Sequence, residues 1–302
     1  MKMDKIQINL LLAHLYNNVW AMEERALFSL HNFLLNKSPN LTITADEAEE
    51  LEISAKARPS ASASGSVAVI PVNGAIQQKM NIFMRIFGGT STEMLAEQIE
   101  ALANDNTVKA IVLDVNSPGG TVSGLIELAD VIMEARKKKY IVAVCNPLCA
   151  SAAYWIASQC DEVVCTPSGS VGSVGVYMVH EDWSAAYEKF GITPTIIKYG
   201  ENKTQGNPYE PLSDEAKEQF QAEVNKLGKL FEKTVARGRE ITAKEVHSNF
   251  GQGRVFDADE AKKIGMVDKV STLKDVISKL VGTKTGMNKN FAQAKISILK
   301  NS

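Results

Sequence analysis

From residue 66 onward, short apolar runs alternate with longer stretches in which apolar residues recur every three or four positions. The first pattern predicts strands at Ser66–Val72, Val108–Val115, Tyr140–Cys145, Glu162–Cys165, Gly175–Val179 and Thr193–Tyr199. The run VKAIVLDV at Val108–Val115 is almost continuously apolar, as a parallel strand covered on both faces requires. The second pattern predicts helices over Thr92–Ala103, Val122–Lys138, Ser151–Ser158 and the long Ser213–Gly238. Shorter helices follow at Thr242–Phe250, Ala258–Ile264 and Leu273–Leu280. Arg136 to Lys139 fall at a helix end, where cations suit the dipole. Strands alternating with helices indicate an α/β layered fold with a mostly parallel sheet.

The first third of the chain reads differently. Residues 6–36 carry a helical pattern, and Asp46–Glu52 suits a short solvated helix. Ala55–Gly65 is built of small residues that bury little, the mark of a linker. The expected organisation is therefore a helical N-terminal extension and linker over 1–65, an α/β domain over 66–282 and a flexible polar tail over 283–302.

Composition narrows the function. Of 302 residues 45% are hydrophobic and 23% charged, and the formal net charge is −2, so no global field recruits nucleic acid or an anionic membrane. His14, His31, His180 and His247 are scattered, and Cys145, Cys149, Cys160 and Cys165 form no CxxC pair, which argues against a zinc site. So few cysteines suit a reducing compartment. The short apolar run Leu10–Ala13 is closely bounded by Asn9 and His14, which suits neither a signal peptide nor a membrane span. The expectation is a soluble protein that is not exported.

Three strand ends carry candidate chemistry, the place where open α/β sheets gather their sites. The first is Asn116-Ser-Pro-Gly-Gly120, whose paired glycines can turn amides toward a bound group, or simply make a tight turn. The second is Pro147-Leu-Cys-Ala-Ser-Ala-Ala-Tyr154, where a strand turns into a helix at Ser151. A serine there is either an N-cap or a nucleophile, and the amide of Ala152 points to the same place as its hydroxyl. Cys149 is the rival nucleophile, or a buried structural thiol. The third is the loop Tyr199–Tyr209, with Lys203 as a candidate base and Lys198 as its competitor. A lysine acts as a base only when neutral, which needs desolvation or a hydrogen-bonded hydroxyl. No Ser-His-Asp set is evident, so a serine activated by a lysine is the available alternative. The loop Gly169–Gly175 is either a glycine-rich turn or a source of a hydroxyl that orients the lysine, with Ser173 preferred over Ser170.

Together the segments IPVNGAI, LDVNSPGGTVSG, CASAAYWIAS, TPSGSVGSVGVYM, YGENKTQGNPY and GRVFDADEAKKIGMVD resemble peptidase family S49, in the family's order over residues 66–282. The resemblance takes in its signal peptide peptidase A group and its lambda-type phage capsid proteases. It implies a spiral α/β core of the Clp protease and crotonase type. It places Ser151 on the nucleophile, Lys203 on the general base and Ser173 on the serine that holds that lysine. Gly120 and Ala152 fall on the positions whose amides form the oxyanion hole. Signal peptide peptidases usually follow the serine with two glycines, where this chain has Ala152 and Ala153. GNPYEPLSDE after the lysine, and an extension with no membrane anchor, look more like the phage branch.

The resemblance further implies acyl transfer without metal, nucleotide or organic cofactor. It implies a homo-oligomer whose sites are shared between subunits, acting in the bacterial cytoplasm or inside a prohead. The substrates it implies are capsid, scaffold or portal proteins, and the chain itself, with Ala55–Gly65 as a self-cleavage candidate. Three other readings stand beside it: a cytosolic peptidase degrading signal peptides, a crotonase-type acyl-CoA enzyme, and a non-catalytic assembly protein.

Overall fold

The computed structural model describes residues 18–29, 62–64, 66–80, 84 and 88–282. One ten-stranded sheet organises the chain. Its strands are β1 (Trp20–Met22), β2 (Ser62–Ser64), β3 (Val67–Gln77), β4 (Gly89–Ser91), β5 (Ala110–Thr121), β6 (Tyr140–Ala150), β7 (Glu162–Cys165), β8 (Ser170–Gly172), β9 (Val255–Asp257) and β10 (Lys269–Val270). The central path runs β10-β7-β6-β5-β3-β2. Its pairings from β10 to β3 are parallel, and β2 closes it antiparallel. The chain is thus an α/β protein with a mostly parallel sheet, as the alternation predicts.

Helices explain why the central strands are apolar throughout. Along β5, Ile111, Leu113 and Val115 face a large core shared with α1 (Thr92–Asn104) and α2 (Leu125–Ala135). Ala110 and Val112 face the opposite way, against Val142, Val144 and Val276. Val276 belongs to α8 (Leu273–Gly282), which covers that second face. With both faces buried, alternation disappears from the sequence.

Between α2 and α8 lie α3 (Ala152–Ala157), α4 (Ser184–Lys189), α5 (Asp214–Arg239), α6 (Ala243–Asn249) and α7 (Ala258–Lys263). Helix α5 begins with a Ser213 N-cap whose hydroxyl accepts from the Ala216 amide. Its second half carries buried Phe231, Thr234, Val235, Ala236 and Gly238 onto the body, while its first half is largely exposed. At its end Arg239 reaches both carboxylate oxygens of Asp268, at 2.8 and 2.9 Å.

The strand ladders break at Asn73/Ala75 in β3 against β5, and at Val115/Ser117 in β5 against β6. A register shift bends a strand. Beyond it, the upper ends of β3, β5 and β6 pair with the short strands β4, β1 and β8. The candidate site sits there.

Three predicted elements differ. The helical pattern over 6–36 does not hold at Trp20–Met22, which is strand β1. Both edges of that strand find backbone partners and all three residues are buried, and this pairing outweighs local periodicity. Gly175–Val179 forms no strand but a single bridge, Tyr177 to Trp20. Thr193–Tyr199 forms no strand, because no described segment pairs with it; Ile197 and Tyr199 are almost fully exposed. Asp46–Glu52, the tail 283–302 and most of Ala55–Gly65 lie outside the described residues, while Ser62–Ser64 pairs with β3.

Candidate active site

Ser151 stands between β6 and α3 with φ 54° and ψ −116°. A side chain at positive φ costs about 1–3 kcal/mol and persists only where surroundings impose it. Here they do. The Ser151 amide donates to the Gly172 carbonyl at 2.8 Å, continuing the β6–β8 ladder, and its own carbonyl accepts from the Trp155 amide at 2.9 Å. Small, fully buried neighbours Ala150, Ala152 and Ala153 allow the sharp turn.

The hydroxyl of Ser151 does not cap α3, so the N-cap alternative fails. Its acceptor is the Gly175 carbonyl at 3.4 Å, a long contact. The first amides of a helix have no acceptor within it, and that of Ala152 is the first of α3.

Cys149 lies in the main core with Cys145 and Cys165, the place of a structural thiol. Burial holds the Cys145 thiol far above its usual range; a hydrogen bond with Cys145, then burial, does the same for Cys165. This is a packed thiol cluster of inert groups.

The glycine pair of the first motif is under steric demand. A Cβ on Gly120 would lie 1.7 Å from the Ile76 carbonyl oxygen, so no side chain fits. Gly119 has φ 102°, and a Cβ there would lie 2.2 Å from the Ala21 carbonyl oxygen and 3.0 Å from the Ala152 nitrogen. The Gly119 amide donates to the Ser117 hydroxyl at 3.1 Å, and that hydroxyl donates to the Gly74 carbonyl at 2.6 Å. The structure therefore brings the glycine pair, through Gly119, beside the amide of Ala152, the residue that follows Ser151.

Ser173 also has positive φ, 55°, and its amide donates to the Arg254 carbonyl at 2.7 Å. Beside it opens a cleft lined by Met22, Glu23, Leu148, Tyr177, Arg254 and Val255. Ser170 borders the same cleft.

Lys203 lies elsewhere. It is exposed in a single 3₁₀ turn, Glu201–Thr204, and the Ser151 hydroxyl bonds to the Gly175 carbonyl instead. Lys198 donates to the Glu201 carbonyl at 3.0 Å in the same loop. The segment around them carries Phe190, Ile192, Ile197 and Tyr199, all at least half exposed.

Reading the sequence missed Ala21, whose carbonyl lies against the glycine pair. The signal was the short apolar run Val19–Met22 between Asn17-Asn18 and Glu23-Glu24, which suits a strand as well as a helix turn.

Residues 133–285 match peptidase family S49. The chain belongs to that family. Residues 68–183 also match the Clp protease family, in keeping with the parallel sheet and the bent strand ends. Among S49-related proteins, a protease-named protein of Methanocaldococcus jannaschii is 36% identical over 182 residues, 60% of this chain and 58% of that protein. Capsid assembly protease C of Escherichia phage lambda is 30% identical over 212 residues, 70% of this chain and 48% of the lambda protein. Head-tail preconnector protein GP5 of Enterobacteria phage P21 is 28% identical over 224 residues, 74% of this chain and 44% of GP5. The chain spans about half the length of these curated relatives. Among the described residues of this S49 chain, no helix is long and apolar enough to cross a membrane.

Proposed function

We propose that the protein is a serine endopeptidase with a Ser151–Lys203 dyad that matures phage or prophage particles by cutting capsid, scaffold or portal proteins. The observation that carries this reading is the backbone of Ser151: an imposed positive φ at a strand-to-helix turn, with a hydroxyl not spent on capping. Ser151 attacks a peptide carbonyl, and the amides of Gly120 and Ala152 bind the oxygen as it becomes anionic. Lys203 takes the serine proton and hands it to the leaving amine; water then releases the acyl group. Ser173 orients the lysine. No cofactor takes part.

Lys203 reaches Ser151 from a neighbouring copy in this reading. The exposed apolar residues of its segment support that arrangement, since a patch of this kind seeks a partner. Packing it against a second copy takes the amine out of water, the condition for a lysine to serve as a base. The working place is the bacterial cytoplasm or the prohead interior. The names of the lambda and P21 relatives support the capsid role.

The test is incubation of the protein, and of Ser151→Ala, with the capsid, portal and scaffold proteins of its own phage or prophage, followed by intact-mass spectrometry. Cleavage by the wild type alone is expected. Equal cleavage by both overturns the nucleophile assignment.

A further inference from the structure

The groove beside Ser151 is filled by the chain's own strand β1. Three residues of β1 pair antiparallel with the glycine end of β5: Trp20 with Thr121, Ala21 with Gly120 and Met22 with Gly119. On this ladder the Val122 amide donates to the Val19 carbonyl at 3.4 Å, and the Glu23 amide to the Pro118 carbonyl at 2.7 Å. Alternate pairs of an antiparallel ladder exchange hydrogen bonds, so the pair between these two, Ala21 with Gly120, sets the Ala21 carbonyl against the Gly120 amide.

The other edge of β1 is held as well. Trp20 donates to the Tyr177 carbonyl at 2.7 Å and accepts from the Tyr177 amide at 3.0 Å. The strand therefore lies between two backbone edges, as an extended peptide does when a sheet groove binds it. Trp20 and Ala21 are fully buried and Met22 nearly so.

The position of one atom carries the inference. The Ala21 oxygen and the Ala152 nitrogen both crowd the same point beside Gly119, at 2.2 and 3.0 Å. The Ala21 carbonyl thus faces the Gly120 amide with the Ala152 amide close by, and these are the two donors assigned above to the oxyanion hole. A carbonyl in that place belongs to the residue before a scissile bond.

We infer that the bond between Ala21 and Met22 is a self-cleavage site, and that until it is cut residues 19–23 occupy the enzyme's own peptide groove. This rests on the reading of Ser151 as nucleophile. The Ser151 oxygen bonds to the Ala21 carbonyl carbon as its proton passes to the Lys203 amine. The C–N bond to Met22 breaks, and that proton goes to the Met22 nitrogen. Water then adds to the acyl carbon, leaving an Ala21 carboxylate and restoring the hydroxyl. A small, fully enclosed Ala21 also marks the groove as one for peptides with a small residue before the cut.

The test follows full-length wild type and Ser151→Ala by intact-mass spectrometry over time, with a fluorophosphonate probe to report reactivity at Ser151 and casein as an added substrate. The expected result is conversion of the wild type to a chain beginning at Met22, with Ser151→Ala unchanged. Wild type that labels at Ser151 or cuts casein, yet keeps the Ala21–Met22 bond, overturns this inference and leaves the peptidase reading standing. Wild type that neither labels, cuts casein nor cuts itself overturns both.

Discussion

The indole of Trp155 lies flat on the ring of Phe231, with centroids 4.2 Å apart and planes 12° apart. Both side chains are fully buried. Trp155 belongs to the short helix that begins at Ser151, and Phe231 to the long helix that follows the Lys203 loop. The stack thus packs the helix that carries Ser151 at its start directly onto the long helix of the same chain. Phe231→Ala removes a buried ring and leaves a cavity, and is expected to cost about 3–5 kcal/mol. Phe231→Leu keeps most of the volume and is expected to cost about 1–2 kcal/mol, chiefly through the lost stack. Urea unfolding checks both; similar midpoints for Phe231→Ala and the wild type would remove the stack from the account.

The strain at Ser151 predicts an inverted stability order. At φ 54° glycine is at ease and alanine is not. Ser151→Gly and Ser151→Ala are both expected to be inactive. Ser151→Gly is expected to be the more stable by about 1 kcal/mol, relief of backbone strain exceeding glycine's extra entropy in the unfolded chain. Thermal unfolding of the two purified variants measures this. A less stable Ser151→Gly would mean that the turn is not strained.

What the sequence disclosed followed from burial. β5 and β6 are covered on both faces, so VKAIVLDV and YIVAVC stood out as apolar runs. The strand-to-helix turn at Ser151 and the tight glycine turn at Gly120 were legible because such turns restrict residue types: a Cβ at Gly120 meets the Ile76 carbonyl. β1 was not legible. Its identity as a strand comes from partners about a hundred and more residues away, at Gly119–Thr121 and Tyr177, which no local window contains. Thr193–Tyr199 failed for the complementary reason: its apolar residues suit a strand, but among the described residues no edge pairs with it.

Tyr177 gives a prediction at alkaline pH. Burial, then the nearby carboxylates of Glu24 and Glu23, push its phenol up to about 12 from 10.0. The folded protein then keeps a proton that the unfolded chain gives up. Unfolding releases that proton between pH 10 and about 12, so the contribution to stability is intact below pH 10 and falls as pH rises through that window. Among the described residues the buried Tyr177 hydroxyl has no hydrogen-bond partner. Tyr177→Phe should therefore match or exceed the wild type at neutral pH and lose less stability above pH 10. Denaturant midpoints across that range, with ultraviolet titration of the phenols, decide the matter. A steeper alkaline loss in Tyr177→Phe would contradict the sign.

Placing Lys203 in a neighbour's site makes the last prediction a complementation. Lys203→Ala and Ser151→Ala are each expected to be folded and inactive, while Lys198→Ala keeps activity because Lys198 only ties its own loop to the Glu201 carbonyl. Co-refolded at equal amounts, the two inactive variants should regain activity. In a ring of randomly mixed subunits, about one quarter of the sites combine an intact Ser151 with an intact Lys203 from the next copy. Peptide turnover by the mixture, beside the assembly state of each variant by ultracentrifugation, gives the reading. A silent mixture of normally assembled variants would place both groups in one chain, and the exposed Phe190, Ile192 and Tyr199 would then need another partner.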